Sequence, residues 1–202
     1  MTFTYPQPAE VAIHYGDLTM KFKLDGSKSA IRLFERSDAS LRLAIAGSHD
    51  LTLDTPMFKK KVAEANEPLD PRLVRRVYGS HYEIRSVFDN SKVILLGEGT
   101  HHFTVRTRAS LIIYASPHTP SLGDWCFQYR PGQGHEFAIT SDVDVAITHE
   151  LPKGIMDYAN GQRTGSSDLF GVVARAQTAH ALLWSHPQGL GCKTRCMEGR
   201  FQ

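Results

Sequence analysis

The sequence predicts a mainly β protein whose centre is an antiparallel β-barrel or jelly roll. Residues 81–150 hold seven short runs of strand-forming residues, about ten residues apart and bounded by turn residues. No helical pattern of crossover length interrupts these runs, and parallel strands need such a crossover. Helical patterns lie on both sides, at 57–78 and after residue 166. The strands are therefore expected to form the core, with helices against it.

Length and composition describe an ordinary globular protein. The 202 residues are 41% hydrophobic and 22% charged, which excludes a disordered or fibrous chain. The formal net charge of +2 gives no signal for polyanion binding by the whole surface. The longest apolar runs, at 93–96 and 111–114, are far shorter than the roughly 20 residues of a membrane-spanning helix.

Cysteine usage and the N-terminal sequence favour a cytoplasmic or non-secreted protein. Cys126, Cys192 and Cys196 make an odd number of thiols, which fits a reducing compartment. The first ten residues, MTFTYPQPAE, lack the basic start and the apolar core of a signal peptide. Cys126 lies in an apolar run and is expected to be a packed thiol rather than a nucleophile.

The first segment, residues 1–56, is interpreted as a β extension packed on the main domain. Apolar residues alternate with polar ones from Leu18 to Leu24, and the period of two continues at 31–33 and 41–45. The pairs Gly16-Asp17 and Asp25-Gly26 are typical of tight turns. This segment is therefore predicted to consist of short strands and hairpins.

Residues 57–79 predict a pair of short helices with basic outer faces. In the second helix, Asp70 is the N-cap, Pro71 takes the first position and Gly79 ends the helix. The basic side chains of the pair are Lys59, Lys60, Lys61, Arg72, Arg75 and Arg76. They are expected to form a solvated face, with contact to phosphate or nucleic acid as the alternative.

The remaining chain is divided into a β-barrel core at 80–152 and a C-terminal helix with its tail at 153–202. The helix is predicted from about Ser167 to Trp184, because apolar residues recur there at spacings of three and four. Its apolar stripe is expected to be buried on the barrel and consists of Leu169, Val172, Val173, Ala176 and Leu183. The four segments are predicted to form one globular unit.

Two motifs within residues 80–150 resemble the conserved motifs of the cupin superfamily. Residues 123–147 combine a Gly-Asp turn, an apolar strand and a Pro-Gly-x-x-His turn that ends at His135. Residues 92–100 are similar to the apolar strand and Gly-Glu-Gly turn that follow the first cupin motif. The resemblance implies a jelly roll with a small-molecule site inside. A complete three-histidine metal site is not implied, because the first motif offers only His81, Glu83 and Asp89 at a different spacing.

The candidate site is expected inside the predicted barrel. His135 and His101 are the candidate catalytic residues, because a neutral imidazole serves as a general base or a metal ligand. The predicted ligand-binding walls are Trp125, Phe127 and Tyr82. The candidate ligands for a divalent metal are His81, Glu83 and His135.

Two classes of function remain open at this point. The first is a cupin-type small-molecule-binding protein or enzyme, with a divalent metal as an optional cofactor. The second is a non-catalytic structural or assembly protein, such as a virion or tail component, built on a β-sandwich. A homo-oligomer is expected, and RNA binding by the basic helices ranks third because interleaved aromatic residues are lacking there.

Overall fold

The computed structural model describes residues 9–121, 123–155, 157–159, 162–177 and 180–183. The first sheet contains three parallel strands in sequence order, namely β1 (Ala9–Tyr15), β2 (Ala39–Ile45) and β3 (Ile94–Leu96). The second sheet contains β4 (Gly99–Thr104), β5 (Ser110–Ser116), β8 (Val145–Thr148) and β11 (His180–Leu183), in the order β11-β8-β5-β4. Only β4 and β5 are antiparallel in this sheet; β5, β8 and β11 run parallel.

Two short strand pairs, five α-helices and a 3-10 helix at Leu51–Leu53 complete the described elements. The parallel pair is β6 (Thr119–Pro120) with β7 (Gln128–Tyr129), and the antiparallel pair is β9 (Tyr158–Ala159) with β10 (Gln162–Arg163). The helices are α1 (Leu24–Glu35), α2 (Thr55–Ala63), α3 (Pro71–Tyr78), α4 (His81–Asp89) and α5 (Ser167–Ala176). None of the helices in the described part of the chain has the length and apolar content to cross a membrane.

The elements stack in four layers, helix on sheet on sheet on helix. Leu43 and Ile45 of β2 share a buried cluster with Ile113 and Ile147 of the second sheet, so the two sheets pack face to face. The intervening residue of β2, Ala44, lies in a separate cluster with residues of α1 and α4. Because side chains of a strand alternate between its faces, both faces of each sheet are buried.

On the far side of the second sheet, α5 covers the outer face. Leu169 and Val173 of α5 pack with Tyr114 of β5 and Ala146 of β8. Leu169 is completely buried and Val173 is 4% exposed. The predicted burial of the apolar stripe of this helix is therefore confirmed for Leu169, Val173 and Ala176.

The prediction of a mainly β, antiparallel barrel or jelly roll is wrong. Residues 81–88 were predicted as a strand but lie in α4, and the predicted turn at Asp25-Gly26 and strand at 31–33 lie in α1, which connects two parallel strands. Their buried residues recur at helical spacing, as Ile84 and Phe88 do in α4. Within the described residues neither sheet closes on itself, so no barrel is present.

The predicted helices at 57–79 are present as α2 and α3. Asp70 caps α3 through a 2.8 Å hydrogen bond from the backbone N–H of Arg72, and Gly79, with φ of +74°, follows its last residue. The C-terminal helix starts at the predicted place, because Ser166 Oγ accepts hydrogen bonds from two backbone N–H groups at 3.1 Å.

The C-terminal helix is shorter than predicted. It ends at Ala176, where Gln177 adopts a left-handed conformation, and 180–183 form β11 instead of continuing the helix. Trp184, the tail from 191 to 202 and the two cysteines within that tail lie outside the described residues.

Candidate functional site

Titratable side chains gather in two clusters near the carboxyl ends of the strands. The Asp17 cluster comprises Asp17, Ser48, His49, Asp50 and His149. The Glu98 cluster comprises Glu98, His118 and His135. In sheets with parallel strands, loops at the carboxyl ends lie at one edge, where residues distant in sequence converge.

The Asp17 cluster is assembled from three strand ends. Asp17 lies two residues beyond β1, residues 48–50 follow β2, and His149 directly follows β8. The backbone N–H of His49 donates to Asp17 Oδ1 at 2.8 Å, and the Ser48 hydroxyl donates to the same oxygen at 3.4 Å. The loops after β1 and β2 are therefore fixed to each other through one carboxylate.

The hydrogen bonds of His149 define which ring nitrogen carries the proton. His149 Nδ1 lies 3.0 Å from the carbonyl oxygen of Tyr15, which can only accept, so Nδ1 is assigned as protonated. His149 Nε2 then accepts from the backbone N–H of Ser48 at 3.1 Å. His149 Nε2 also lies 3.4 Å from Asp17 Oδ1, and the side chains of His149 and Asp17 are only 2% and 5% exposed.

Glycines make this close approach possible. A Cβ atom at Gly47 would lie 2.4 Å from the backbone nitrogen of Asp17 and 2.6 Å from His149 Cε1. A Cβ atom at Gly16 would lie 2.4 Å from His149 Nδ1, and Gly16 has φ of +104°. Both positions therefore require glycine for steric reasons.

Several polar atoms of this region are buried without a hydrogen-bond partner among the described residues. They are His14 Nδ1, His49 Nδ1 and Asp50 Oδ1. Burial raises the pKa of Asp50 to about 7, although the backbone N–H groups of Gly47 and Leu18 donate to its other oxygen. Unpartnered buried polar atoms are rare in folded proteins, and they concentrate at functional sites.

The charge of Asp17 contrasts with that of Asp50. Burial raises the pKa of Asp17, but the adjacent His149 and the backbone N–H of His49 outweigh burial and hold it below its ordinary value. Asp17 is therefore an ionised carboxylate at neutral pH. Burial also lowers the pKa of His14, so that its imidazole is neutral.

A cleft of about 460 Å³ adjoins the Asp17 cluster. The ring of His49 stacks on Phe22 at a centroid distance of 5.3 Å and contacts Trp125 at 4.9 Å. The cleft is lined by Phe22, Leu51, Lys61, Asp124, Trp125 and Cys126. The backbone N–H of Cys126 donates to the carbonyl of Ser48 at 3.2 Å, which fixes the aromatic loop beside the cluster.

The Glu98 cluster is assembled from three loops. Glu98 follows β3, His118 follows β5, and His135 follows a turn in which Gly134 has φ of +68°. One carboxylate oxygen of Glu98 lies 2.5 Å from His135 Nε2, and the other lies 3.2 Å from His118 Nδ1. The two imidazole rings stack at a centroid distance of 4.7 Å.

Neighbouring side chains hold Glu98 in place. The hydroxyl of Ser116 donates to Glu98 Oε1 at 2.9 Å, and that of Tyr114 does so at 3.4 Å. Burial raises the pKa of Glu98, but His135 and Ser116 outweigh it and lower the pKa overall. Burial also lowers the pKa of His118. The cluster thus combines an ionised carboxylate with a neutral imidazole.

The residues predicted from the sequence are distributed over several places. His135 lies in the Glu98 cluster, and Phe127 contacts His118 edge to face at 6.1 Å. His101 contacts the carbonyl of Gly97 at 3.0 Å and is a member of neither cluster. Trp125 lines the cleft beside the Asp17 cluster.

Tyr82 and Glu83 of α4 are not brought to His135. Tyr82 is 72% exposed, and Glu83 pairs with Lys28 at 3.2 Å. The side chain of His81 lies outside the described part of the chain. On the basic helix α2, Lys60 and Lys61 pair with Asp124, and nucleic-acid contact by this face stays a prediction.

The sequence interpretation missed the whole Asp17 cluster. Gly16-Asp17 was interpreted as a hairpin turn, and the Gly-Ser-His-Asp stretch at 47–50 was not singled out. The signal that was available is the continuous apolar run at 43–46, which starts within β2 and is typical of a parallel strand buried on both faces. A glycine and polar residues directly after such a strand indicate a site at its carboxyl end.

Comparison with known proteins gives three relevant similarities. UPF0046 protein T07D4.2 of Caenorhabditis elegans is 26% identical over 192 residues, covering 93% of this chain and 48% of that protein. Metallophosphoesterase domain-containing protein 1 of Homo sapiens is 27% identical over 186 residues, covering 88% and 53%. The probable rhamnogalacturonate lyase C of Emericella nidulans is 25% identical over 152 residues, covering 75% of this chain but 13% of that protein. No family model matches the chain.

The cupin resemblance is wrong. The relatives point to metallophosphoesterases, and the described sheets are mixed and open, so the cupin-like, β-barrel and jelly-roll assignments are withdrawn. The resemblance depended on glycine-containing turns next to apolar strands, a combination that many β-containing folds share. The chain spans about half the length of the first two relatives. Their names are compatible with the metal-assisted enzyme that the sequence left open.

Proposed function

We propose that this chain is a metal-dependent phosphoesterase domain whose reaction centre is the Asp17 cluster. The observation that carries the proposal is the buried pair of Asp17 and His149, in which Asp17 Oδ1 lies 3.4 Å from His149 Nε2, next to His49, whose Nδ1 is buried without a hydrogen-bond partner among the described residues. The similarity to a protein named for a metallophosphoesterase domain supports it.

The residues of the cluster fit a divalent cation. Asp17 Oδ1 and His149 Nε2 lie 3.4 Å apart, and a carboxylate oxygen and an imidazole nitrogen are both common ligands of divalent metals. Ligands at the usual metal distances of about 2.0–2.1 Å are about 3.3 Å apart around a tetrahedral ion. The Ser48 hydroxyl, 3.4 Å from the same carboxylate oxygen, is available as a further oxygen ligand.

The proposed roles of the residues follow from their positions. Asp17, His149 and Ser48 would hold the cation, which supplies Lewis-acid polarisation of a phosphoryl oxygen when bound. The ring of His49 contacts Phe22 and Trp125, which line the cleft, and its Nδ1 has no hydrogen-bond partner among the described residues, so it would donate a proton to the oxygen of the leaving group. Phe22 and Trp125 would pack against an apolar or aromatic leaving group.

The test is hydrolysis of p-nitrophenyl phosphate, a monoester, and bis(p-nitrophenyl) phosphate, a diester. The purified chain is stripped with EDTA and assayed after addition of Mn²⁺, Mg²⁺, Co²⁺ or Zn²⁺. We expect activity that requires added metal, and Asp17→Asn and His49→Asn are expected to lower kcat by about 100-fold or more.

The matched control is His102→Asn, which replaces an exposed histidine on β4. It should keep the wild-type kcat, while circular dichroism shows that all variants fold. Failure to hydrolyse either ester with any of the four metals would overturn the proposal. That result would favour the non-catalytic structural role, for which the mass of the chain in solution is the next measurement.

A further inference from the structure

We infer that Glu98, His118 and His135 form a second metal site, separate from the Asp17 cluster, and that Zn²⁺ is its ion. The inference does not depend on the proposed phosphoesterase activity. Each of the three residues offers one ligand atom, and these atoms all lie within 4.8 Å of one another.

The donor set indicates the class of metal. Two imidazole nitrogens and one carboxylate oxygen are the set that zinc takes where three protein ligands leave a fourth position open. Mg²⁺ and Ca²⁺ prefer sites made of oxygen atoms, so a set with two nitrogens disfavours them. The side chains of Glu98, His118 and His135 are 31%, 28% and 18% exposed, which leaves room for a fourth ligand from solvent.

A plain hydrogen-bonded cluster does not account for His118. Its Nδ1 is buried and lies 3.2 Å from Glu98 Oε2, yet the alignment of the two groups does not form a hydrogen bond. A buried nitrogen that faces a carboxylate in this way lacks the stabilisation that a shared cation would supply. The three ligand atoms all lie within 4.8 Å of one another, close to the spacing of about 3.3 Å around a tetrahedral ion.

The surroundings of the three ligands resemble the supporting shell of a metal site. The hydroxyls of Ser116 and Tyr114 fix the Glu98 carboxylate, as outer hydrogen bonds do for ligating carboxylates. Tyr129 stacks on His135 at 5.1 Å and Phe137 contacts it edge to face at 4.7 Å, so the ring has a defined orientation. The ligands are therefore positioned before any ion binds.

The position of the cluster predicts what the ion does. Its ligands come from the loops after β3 and β5 and from the turn before His135, so a bound ion would cross-link three loops. An ion that binds only the folded chain stabilises it by mass action. We therefore assign the site a stabilising role.

The inference is tested with Zn²⁺ and Co²⁺ on the EDTA-stripped, dialysed chain. Isothermal titration calorimetry counts bound Zn²⁺, and visible absorption of bound Co²⁺ reports coordination by nitrogen and oxygen. Wild-type chain is expected to bind one more equivalent of Zn²⁺ than His118→Ala or His135→Ala. The matched control is His101→Ala, a histidine outside the cluster, and it should bind as wild type does.

A second pair of variants separates this site from the Asp17 cluster. His149→Ala should keep the equivalent of Zn²⁺ that His118→Ala loses, whatever happens to hydrolysis of phosphate esters. Glu98→Gln keeps the shape of the side chain and is expected to weaken Zn²⁺ binding by at least about tenfold, so it decides the question if a histidine variant does not fold. Equal stoichiometry and affinity for wild type, His118→Ala and Glu98→Gln would overturn the inference.

Discussion

The Asp17 and Glu98 clusters both combine carboxylate and imidazole groups, but the chain holds them in different ways. Asp17 and His149 are 5% and 2% exposed, and backbone N–H groups and glycines surround them. Glu98 and His118 are about a third exposed, and only side chains hold the carboxylate. Both clusters lie on loops at strand ends, but the Asp17 cluster is buried and the Glu98 cluster is partly exposed, so the fold should tolerate the loss of the Glu98 cluster.

The largest effect is expected at Gly47, because the Asp17 cluster leaves no space there for a side chain. A Cβ atom there would lie 2.4 Å from the nitrogen of Asp17, so Gly47→Ala should lower the free energy of unfolding by about 3 kcal/mol. It should also abolish any esterase activity. Urea unfolding measures the change in the free energy of unfolding.

Gly132→Ala is the control, because a Cβ atom at Gly132 meets nothing within 4 Å. Equal stability of the two variants would contradict the tight packing described for the Asp17 cluster.

Asp157 extends the comparison to a buried carboxylate outside both clusters. It is 1% exposed and accepts from the backbone N–H of Gly154 at 2.9 Å and from Arg163 at 2.8 Å. Burial raises its pKa, but these donors outweigh burial and lower it. Asp157→Asn should therefore cost about 1–3 kcal/mol at neutral pH, because it weakens buried hydrogen bonds to a charged acceptor.

The pH dependence of Asp157 has a defined sign. A carboxylate whose pKa is lower in the folded chain stabilises the fold above its unfolded pKa, and this stabilisation is lost as the pH falls through the folded value. Wild type should lose stability more steeply than Asp157→Asn below about pH 4. The measurement is the Tm of both proteins from pH 7 to pH 2. An equal fall in Tm for wild type and Asp157→Asn would show that Asp157 does not contribute to stability in this way.

A smaller effect on stability is expected for a substitution in the Glu98 cluster in the absence of metal. His118→Ala should change the free energy of unfolding of EDTA-treated chain by about 1 kcal/mol or less, since His118 Nδ1 makes no hydrogen bond. Zn²⁺ should raise the Tm of wild type and leave that of His118→Ala nearly unchanged. A large loss of stability without metal would instead make this cluster part of the core.

The smallest effect is expected for the ion pair on the surface of α2. Lys60 and Asp124 lie 2.6 Å apart but are 44% and 51% exposed, so solvent screens their attraction. Lys60→Ala should leave the Tm within about 1 °C of wild type. A larger shift would mean that the loop carrying Asp124 depends on this ion pair.

Local patterns in the sequence predicted some elements and not their arrangement. The apolar runs at 41–45, 110–115 and 143–150 do contain strands, because a buried strand needs such residues wherever it lies in a sheet. The segments that became α1 and α4 are short, and their apolar residues fit either period. Because both segments were interpreted as strands, the helical crossovers that parallel strands require were not recognised, and parallel pairing was not predicted.

The candidate sites show the same limit. His135 was singled out from a glycine-containing turn, and it does lie in a cluster, but its partners Glu98 and His118 were not proposed as its neighbours. Each partner comes from a different loop, and a local sequence pattern does not show which loops lie next to each other in the fold. The Asp17 cluster joins residues 17, 48 and 149, which the sheet pairing brings together.

The hydrogen bond between His149 and the carbonyl of Tyr15 has a consequence for the order of folding. It joins residues 134 positions apart and connects the first sheet to the second. Closing so long a loop carries a large entropic cost, and contacts of this range slow folding. The Asp17 cluster therefore forms only when the two sheets dock. Recovery of the proposed phosphoesterase activity after dilution from urea should therefore lag behind recovery of helical circular dichroism.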